Sequence, residues 1–271
     1  MIHISPENFQ LPAALSTDAA NVDALYMLVY WFSVVFTVGV TGTMLYFVWK
    51  YRRRPGHKAE PVTNNTTLEV TWTVLPIFFV AILFHLGFKE YAHDALAASN
   101  ALEIGVRGQQ WSWNFTYPNG KQDASEVTIP VNRPVKFVIS SQDVIHSFYV
   151  PGARLKKDAV PGMYSSITFT PNTIGDMQVF CAEYCGKSHS GMLAKIHVVA
   201  EKDYEDFLKK GDRLDGEPLD AYGARLYKKN ACYTCHTVDG SKGNGPTWKD
   251  MYGHSVTMTS GQTLTADDNY I

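Results

Sequence analysis

Two long stretches without a charge decide what this chain can fold into. From Leu25 to Trp49 the sequence reads LYMLVYWFSVVFTVGVTGTMLYFVW, and from Val70 to Phe88 it reads VTWTVLPIFFVAILFHLGF. As a helix rising about 1.5 Å per residue, the first reaches roughly 37 Å, enough to cross a bilayer with some tilt. The second is close to the minimum spanning length. Pro76 reads there as a first-turn proline, which is harmless, and Gly87 is common in membrane helices. The competing reading of the second stretch, a buried core helix, is disfavoured by the span beside it. The expectation is an N-terminal exported segment, 1–24, followed by a transmembrane helical hairpin, 25–91.

Between the spans lies KYRRRPGHK, which puts Lys50, Arg52, Arg53, Arg54 and Lys58 next to the membrane. The positive-inside rule assigns that loop to the cytoplasm and everything after Tyr91 to the opposite side. Trp31, Trp49, Tyr51 and Trp72 suit interfacial anchoring. Met1 to Ala20 lacks the basic and apolar regions of a signal peptide, so either a leader was removed or the first span directs export. A net charge of -2 excludes the basic footprint of a nucleic-acid binder.

After the hairpin the pattern turns to short alternating runs, LEIGVRG, WSWNFTY, EVTIPV, PVKFVISS, YSSITFT, MQVFC and LAKIHVV. Turn signals such as Pro118-Asn119-Gly120 and Pro161-Gly162 separate them, which reads as an antiparallel sandwich or barrel over 92–200. Glu201 to Lys210 suits a surface helix, 201–220 overall reads as a linker, and a third unit starts near Ala221.

The densest chemistry lies at Cys181 to Met192, CAEYCGKSHSGM. Imidazole, thiolate and thioether together favour copper over zinc. One electron-transfer copper uses one thiolate, so Cys181 and Cys185 together point to two bridged coppers. Such a pair needs a second imidazole besides His189. His146, in SSQDVIHSFYVPG between strand-like runs, is the candidate, and a disulfide between the two thiols is the competing reading. His85, His93, His197 and His254 read as ordinary buried histidines. Cys232-Tyr233-Thr234-Cys235-His236 is C-x-x-C-H, the attachment motif of haem c, with Leu226 and Tyr227 on the preceding helix placed to pack against the haem.

Together, LEVTWTVLP, GQQWSWNFTYP, QDVIHSFYVP, LKKDAVPG and CAEYCGKSHSGM resemble subunit II of the haem-copper cytochrome c oxidases, and C-x-x-C-H resembles the subgroup carrying a fused cytochrome c. The resemblance implies a multi-domain membrane protein with an all-β, cupredoxin-like Greek-key domain and an all-α cytochrome c domain over 221–271. It implies a copper A centre bridged by Cys181 and Cys185, with His146 and His189 as terminal imidazoles and Met192 and the carbonyl of Glu183 as weak ligands. The Glu183 carboxylate would face a magnesium shared with subunit I. Trp111 would receive electrons, and Glu69 would lie at the mouth of a proton pathway. The haem would be held by Cys232, Cys235 and His236, and its sixth ligand is expected beyond Ile271 rather than at Met251 or Met258. Met163 departs from the basic residue frequent after DAVPG.

The resemblance further implies a bacterial inner-membrane location with copper and haem on the periplasmic side. Implied partners are subunit I, other oxidase subunits, the lipid bilayer and, as donor, cytochrome c or a quinol-oxidising complex. The function implied is electron relay to subunit I for reduction of oxygen coupled to proton translocation. A membrane-anchored copper assembly protein is the alternative, and it leaves C-x-x-C-H unexplained.

Overall fold

The computed structural model describes residues 11–56, 58, 61, 63–95, 100–211, 216–230 and 232–267. The start of the N-terminal segment, the middle of the expected linker and the final residues lie outside these. The uncharged runs form two helices, α1 (Ala19–Lys50) and α2 (Thr66–Ala95). Hydroxyls that lipid could not satisfy bond back within their own helix. Ser33 donates to the Val29 carbonyl, Thr43 to Gly39, Thr71 to Thr67 and Thr73 to Glu69. Phe32 and Phe79 stack across the pair at 3.6 Å, and Asn21 donates to Glu90.

One expectation needs correction. The Asn65 side chain accepts the Leu68 N–H and caps α2. The helix therefore begins well before Val70, and Pro76 lies in its interior rather than its first turn. Membrane helices tolerate this where neighbouring groups satisfy the freed carbonyl.

The next ten strands are β1 (Leu102–Gln109), β2 (Ser112–Thr116), β3 (Gln122–Ala124), β4 (Glu126–Pro130), β5 (Val135–Ser141), β6 (His146–Val150), β7 (Leu155–Ala159), β8 (Ser165–Phe169), β9 (Gly175–Cys181) and β10 (Leu193–Val199). They form two sheets, ordered β3-β2-β1-β5-β8 and β4-β10-β9-β6-β7. The sandwich is mixed rather than antiparallel, because β1 pairs with β5 and β4 with β10 in parallel. Those pairs follow from long connections that return a strand beside a distant one instead of a hairpin neighbour.

Alternation puts Ile104, Val106, Phe137, Ile139, Ile196 and Val198 inside. Phe148 is the hub, edge-on to Trp113, Phe115 and Phe137 at 5.2, 6.3 and 5.3 Å. The helix α3 (Glu201–Lys209) lies on this domain and buries Tyr204 beneath it.

The N-terminal segment straps the sandwich to the membrane hairpin. Leu15 N–H donates to the Gly152 carbonyl, Ser16 Oγ to Ala153, and Thr17 N–H to Thr170. Arg154 closes the strap, pairing with Asp23 of α1 at 2.6 and 3.0 Å and donating to the Pro12 and Pro151 carbonyls.

The C-terminal unit contains α4 (Leu219–Lys229), a 3-10 turn at Cys232–Thr234, and a hairpin of β11 (Ser255–Thr257) and β12 (Thr263–Thr265). The helical character expected there is present, the hairpin was not anticipated, and α4 starts two residues before Ala221. Among the histidines expected to be buried, His85 and His254 are exposed. His197 is partly exposed and bonds Asp176 at 2.7 Å. The His93 side chain lies outside the described ones.

Candidate functional site

Two ends of interior strands and one loop converge at one end of the second sheet. Cys181 is the last residue of β9 and His146 the first of β6, which is a strand where a loop was expected. The intervening residues turn back through a single 3-10 turn at His189–Gly191, and Met192 leads into β10. Gly186 makes the turn possible: its φ is +116°, and a Cβ there would meet Gln110 Nε2 at 3.1 Å and the Trp111 ring at 3.2 Å.

The thiols are free, with sulfurs 3.7 Å apart, so the disulfide reading is not the one adopted. Each thiol has its own imidazole, His146 Nδ1 at 3.9 Å from Cys181 and His189 Nδ1 at 3.5 Å from Cys185. Two further soft or weak donors complete the ring. Met192 Sδ lies 3.7 Å from the Cys185 sulfur, and the Glu183 carbonyl lies 3.3 Å from that of Cys181. His146 and Met192 are fully buried, while the Glu183 side chain faces outward. The donor set therefore fits two soft metal ions bridged by sulfur.

Surrounding groups orient these donors. Asp143 Oδ1 lies 2.8 Å from His146 Nε2, which leaves Nδ1 to face the thiols. Burial opposes ionisation of Asp143, but hydrogen bonds from His146 and from the Gln110 and Val144 N–H groups hold its pKa below the usual carboxylate value. The Cys185 carbonyl accepts from Trp111 Nε1 at 3.1 Å and Gln110 Nε2 at 2.8 Å. The half-buried Trp111 thus touches the backbone of Cys185.

Burial also disfavours both thiolates. At Cys181, hydrogen bonds from His146 and the backbone reverse this and lower the pKa, whereas burial and the adjoining Cys181 raise that of Cys185. Metal binding favours the deprotonated form of both thiols.

The C-x-x-C-H residues occupy one turn, with His236 N–H bonded to the Cys232 carbonyl at 2.9 Å. The Pro246 carbonyl lies 2.8 Å from His236 Nδ1, so Nδ1 carries the proton and Nε2 is left for a metal. Gly245 lets that loop close: a Cβ would lie 2.9 Å from the His236 ring. Two free half-buried thiols beside an imidazole oriented in this way fit a covalently attached haem. Tyr227 donates to the His236 carbonyl and packs against Trp248 at 5.8 Å; Trp248 in turn stacks on His236 at 4.6 Å.

One sequence candidate is not brought to either centre, and Met163, the departure from the family pattern, also lies away from both. Glu69 sits exposed in the first turn of α2, where the helix dipole favours an acid. Met163 is exposed beside Arg107, on a surface cavity of about 240 Å³ lined also by Ser140, Ser141, Gln142 and Tyr164. Sequence reasoning missed Asp143 and Gln110. Asp143 carried a signal, three residues before His146; Gln110 carried none beyond its neighbour Trp111.

These features define a class: a cupredoxin-like domain with a buried soft-donor ring, tethered by two apolar helices and followed by a unit that carries C-x-x-C-H. Residues 5–90 match the family described as cytochrome C oxidase subunit II, transmembrane domain, and 121–199 match its periplasmic domain. Residues 221–269 match cytochrome c. Cytochrome c oxidase subunit 2 of Thermostichus vulcanus is 30% identical over 264 residues, covering 77% of this chain and 80% of that protein. Its counterpart in Alkalihalophilus pseudofirmus is 35% identical over 204 residues, covering 71% of this chain and 60% of that protein's length. The solved periplasmic domain of subunit II of cytochrome oxidase from Bradyrhizobium japonicum is 30% identical, with 42% of this chain and 95% of that one covered and a TM-score of 0.41. The chain belongs to the cytochrome c oxidase subunit II family, a membrane-anchored part of the haem-copper oxidases.

Proposed function

We propose that this chain relays electrons within a bacterial inner-membrane cytochrome c oxidase, accepting them at a covalent haem c and delivering them through a copper A pair to subunit I. The observation that carries this reading is the pairing of one imidazole with each of two unbonded thiols in a buried ring of soft donors. When bound, the copper pair and the haem would supply one-electron storage, and the rest is the work of this chain's residues.

Cys181 and Cys185 would bridge the metals, His146 and His189 would cap them, and Met192 with the Glu183 carbonyl would bind weakly at the flanks. Buried walls exclude water, and the hydrogen bonds to Asp143 and the Cys185 carbonyl fix ligand positions, which keeps reorganisation small on redox cycling. Trp111, bonded to the Cys185 carbonyl, offers a route for electrons arriving from outside. The outward Glu183 carboxylate is placed to bind magnesium against subunit I, and Glu69 to serve a proton pathway there. Oxygen reduction and proton translocation would belong to subunit I, with cytochrome c or a quinol-oxidising complex as donor.

Cys185→Ser separates the two centres. It is expected to abolish the mixed-valence copper EPR signal of the purified oxidase while the absorbance of covalent haem persists. Retention of that copper signal, or loss of the haem along with it, would contradict the reading.

A further inference from the structure

The haem-attachment unit does not hang free on its linker. Lys121 Nζ donates to the Phe207 and Lys210 carbonyls at 2.9 and 3.0 Å, and its ammonium lies 4.0 Å from the Phe207 ring centre. The linker therefore leaves the copper domain at the edge formed by β2 and β3. Along that same edge α4 returns. Lys229 Nζ lies 2.6 Å from Asp123 Oδ1 in β3, with side-chain exposures of 18% and 9%. Lys229 is the only charged partner of Asp123 among the described residues.

A second contact joins the two cofactor loops. Lys187, between Cys185 and His189, donates to Asn244 Oδ1 at 3.1 Å. Asn244 Nδ2 donates in turn to the Thr234 carbonyl at 3.1 Å, inside the C-x-x-C-H turn. Two hydrogen bonds thus link the copper-ligand loop to the haem-attachment turn.

We propose that Lys229 and Asp123 latch the haem unit onto its own copper domain in one defined orientation, with Lys187 and Asn244 joining the two cofactor loops. This rests on the function proposed above. One electron would pass directly from ferrous haem, leaving it ferric, to the copper pair, reducing it by one, with no proton or atom transferred. A linker that takes off beside its own docking site keeps the effective concentration of the haem unit high. Burying a complementary charge pair at the edge favours this pose over others, since an unmatched buried carboxylate is costly. Lys229 and Asp123 are positioning residues.

The test uses the purified oxidase with Lys229→Met, Asp123→Asn and the exchanged pair Asp123→Lys with Lys229→Asp. Two readouts are taken, backbone hydrogen exchange and the rate of internal electron transfer after rapid haem reduction. Each single variant is expected to raise exchange in 122–124 and 185–188, without change in the core strands β5 and β9, and to slow transfer about tenfold or more. The exchanged pair is expected to restore protection and to return the rate to within about threefold of the original. Unaltered exchange and rate in the single variants would overturn the latch, as would failure of the exchanged pair to recover while β5 and β9 stay protected. Absence of copper and haem bands in the unsubstituted protein would instead sink the proposed function, and exchange would still report whether the units dock.

Discussion

At the scale of residues, the proposed ligands are held by groups that are not themselves proposed ligands. Asp143 collects the His146 ring and two backbone N–H groups on one carboxylate. Asp143→Asn should lower copper affinity by about 10–100-fold, as loss of an orienting partner does at other metal sites, read by titration against a competing chelator. Unchanged affinity would mean that His146 is oriented by packing alone. Gly186→Ala would force a side chain into a backbone conformation that disfavours it and against Trp111, so copper loading should fall although every donor remains. Cys181, Cys185, His189 and Met192 were legible as candidate donors, because their density within twelve residues exceeds what one copper can use; His146 lies 35 residues before Cys181, and the Glu183 carbonyl came only from the family resemblance. The supports of these donors were not legible, since Gln110 reaches the Cys185 carbonyl from across the sandwich and nothing in local spacing records that contact.

At the scale of elements, strands with a clean apolar alternation could be read and those without it could not. β7 carries Lys156, Lys157 and Asp158 in its middle, with Lys157 on the same face as the buried Leu155 and Ala159, and β3 has only three residues, so neither announces itself. β6 carries a weaker signal, Phe148 and Val150 at period two, blurred by the polar but buried His146 and Ser147. That strand supplies the hub of the core, so Phe148→Ala should destabilise the exported domain by about 3–5 kcal/mol in denaturant unfolding. The start of α2 was misplaced because Asn65 caps the helix from within a polar stretch that a hydropathy window cannot see. Arg154 and Asp23 join copper domain to membrane helix, with side-chain exposures of only 7% and 15%. Arg154→Ala would leave a largely buried carboxylate unpaired, and hydrogen exchange across 11–18 should rise sharply while the core strands stay protected.

At the scale of the whole molecule, the order of parts follows the direction proposed for the electron. Two apolar helices fix the chain in the membrane, the strap at Leu15–Thr17 and Arg154 seats the sandwich on them, and the soft-donor ring lies at one end of the sandwich. The cytochrome c unit then folds back along β3 rather than extending away, a placement that composition of the linker could not show. Sequence resolved the three units because hydropathy, alternation and C-x-x-C-H are each local patterns; their mutual seating depends on a few ion pairs and hydrogen bonds between distant residues. The metal content of the intact chain tests the proposed relay most directly. Metal analysis with EPR and optical spectra of the purified protein should give two coppers in a mixed-valence pair and one covalently bound haem c per chain. A single labile copper, zinc in place of copper, or haem removable by acid-acetone extraction would contradict it.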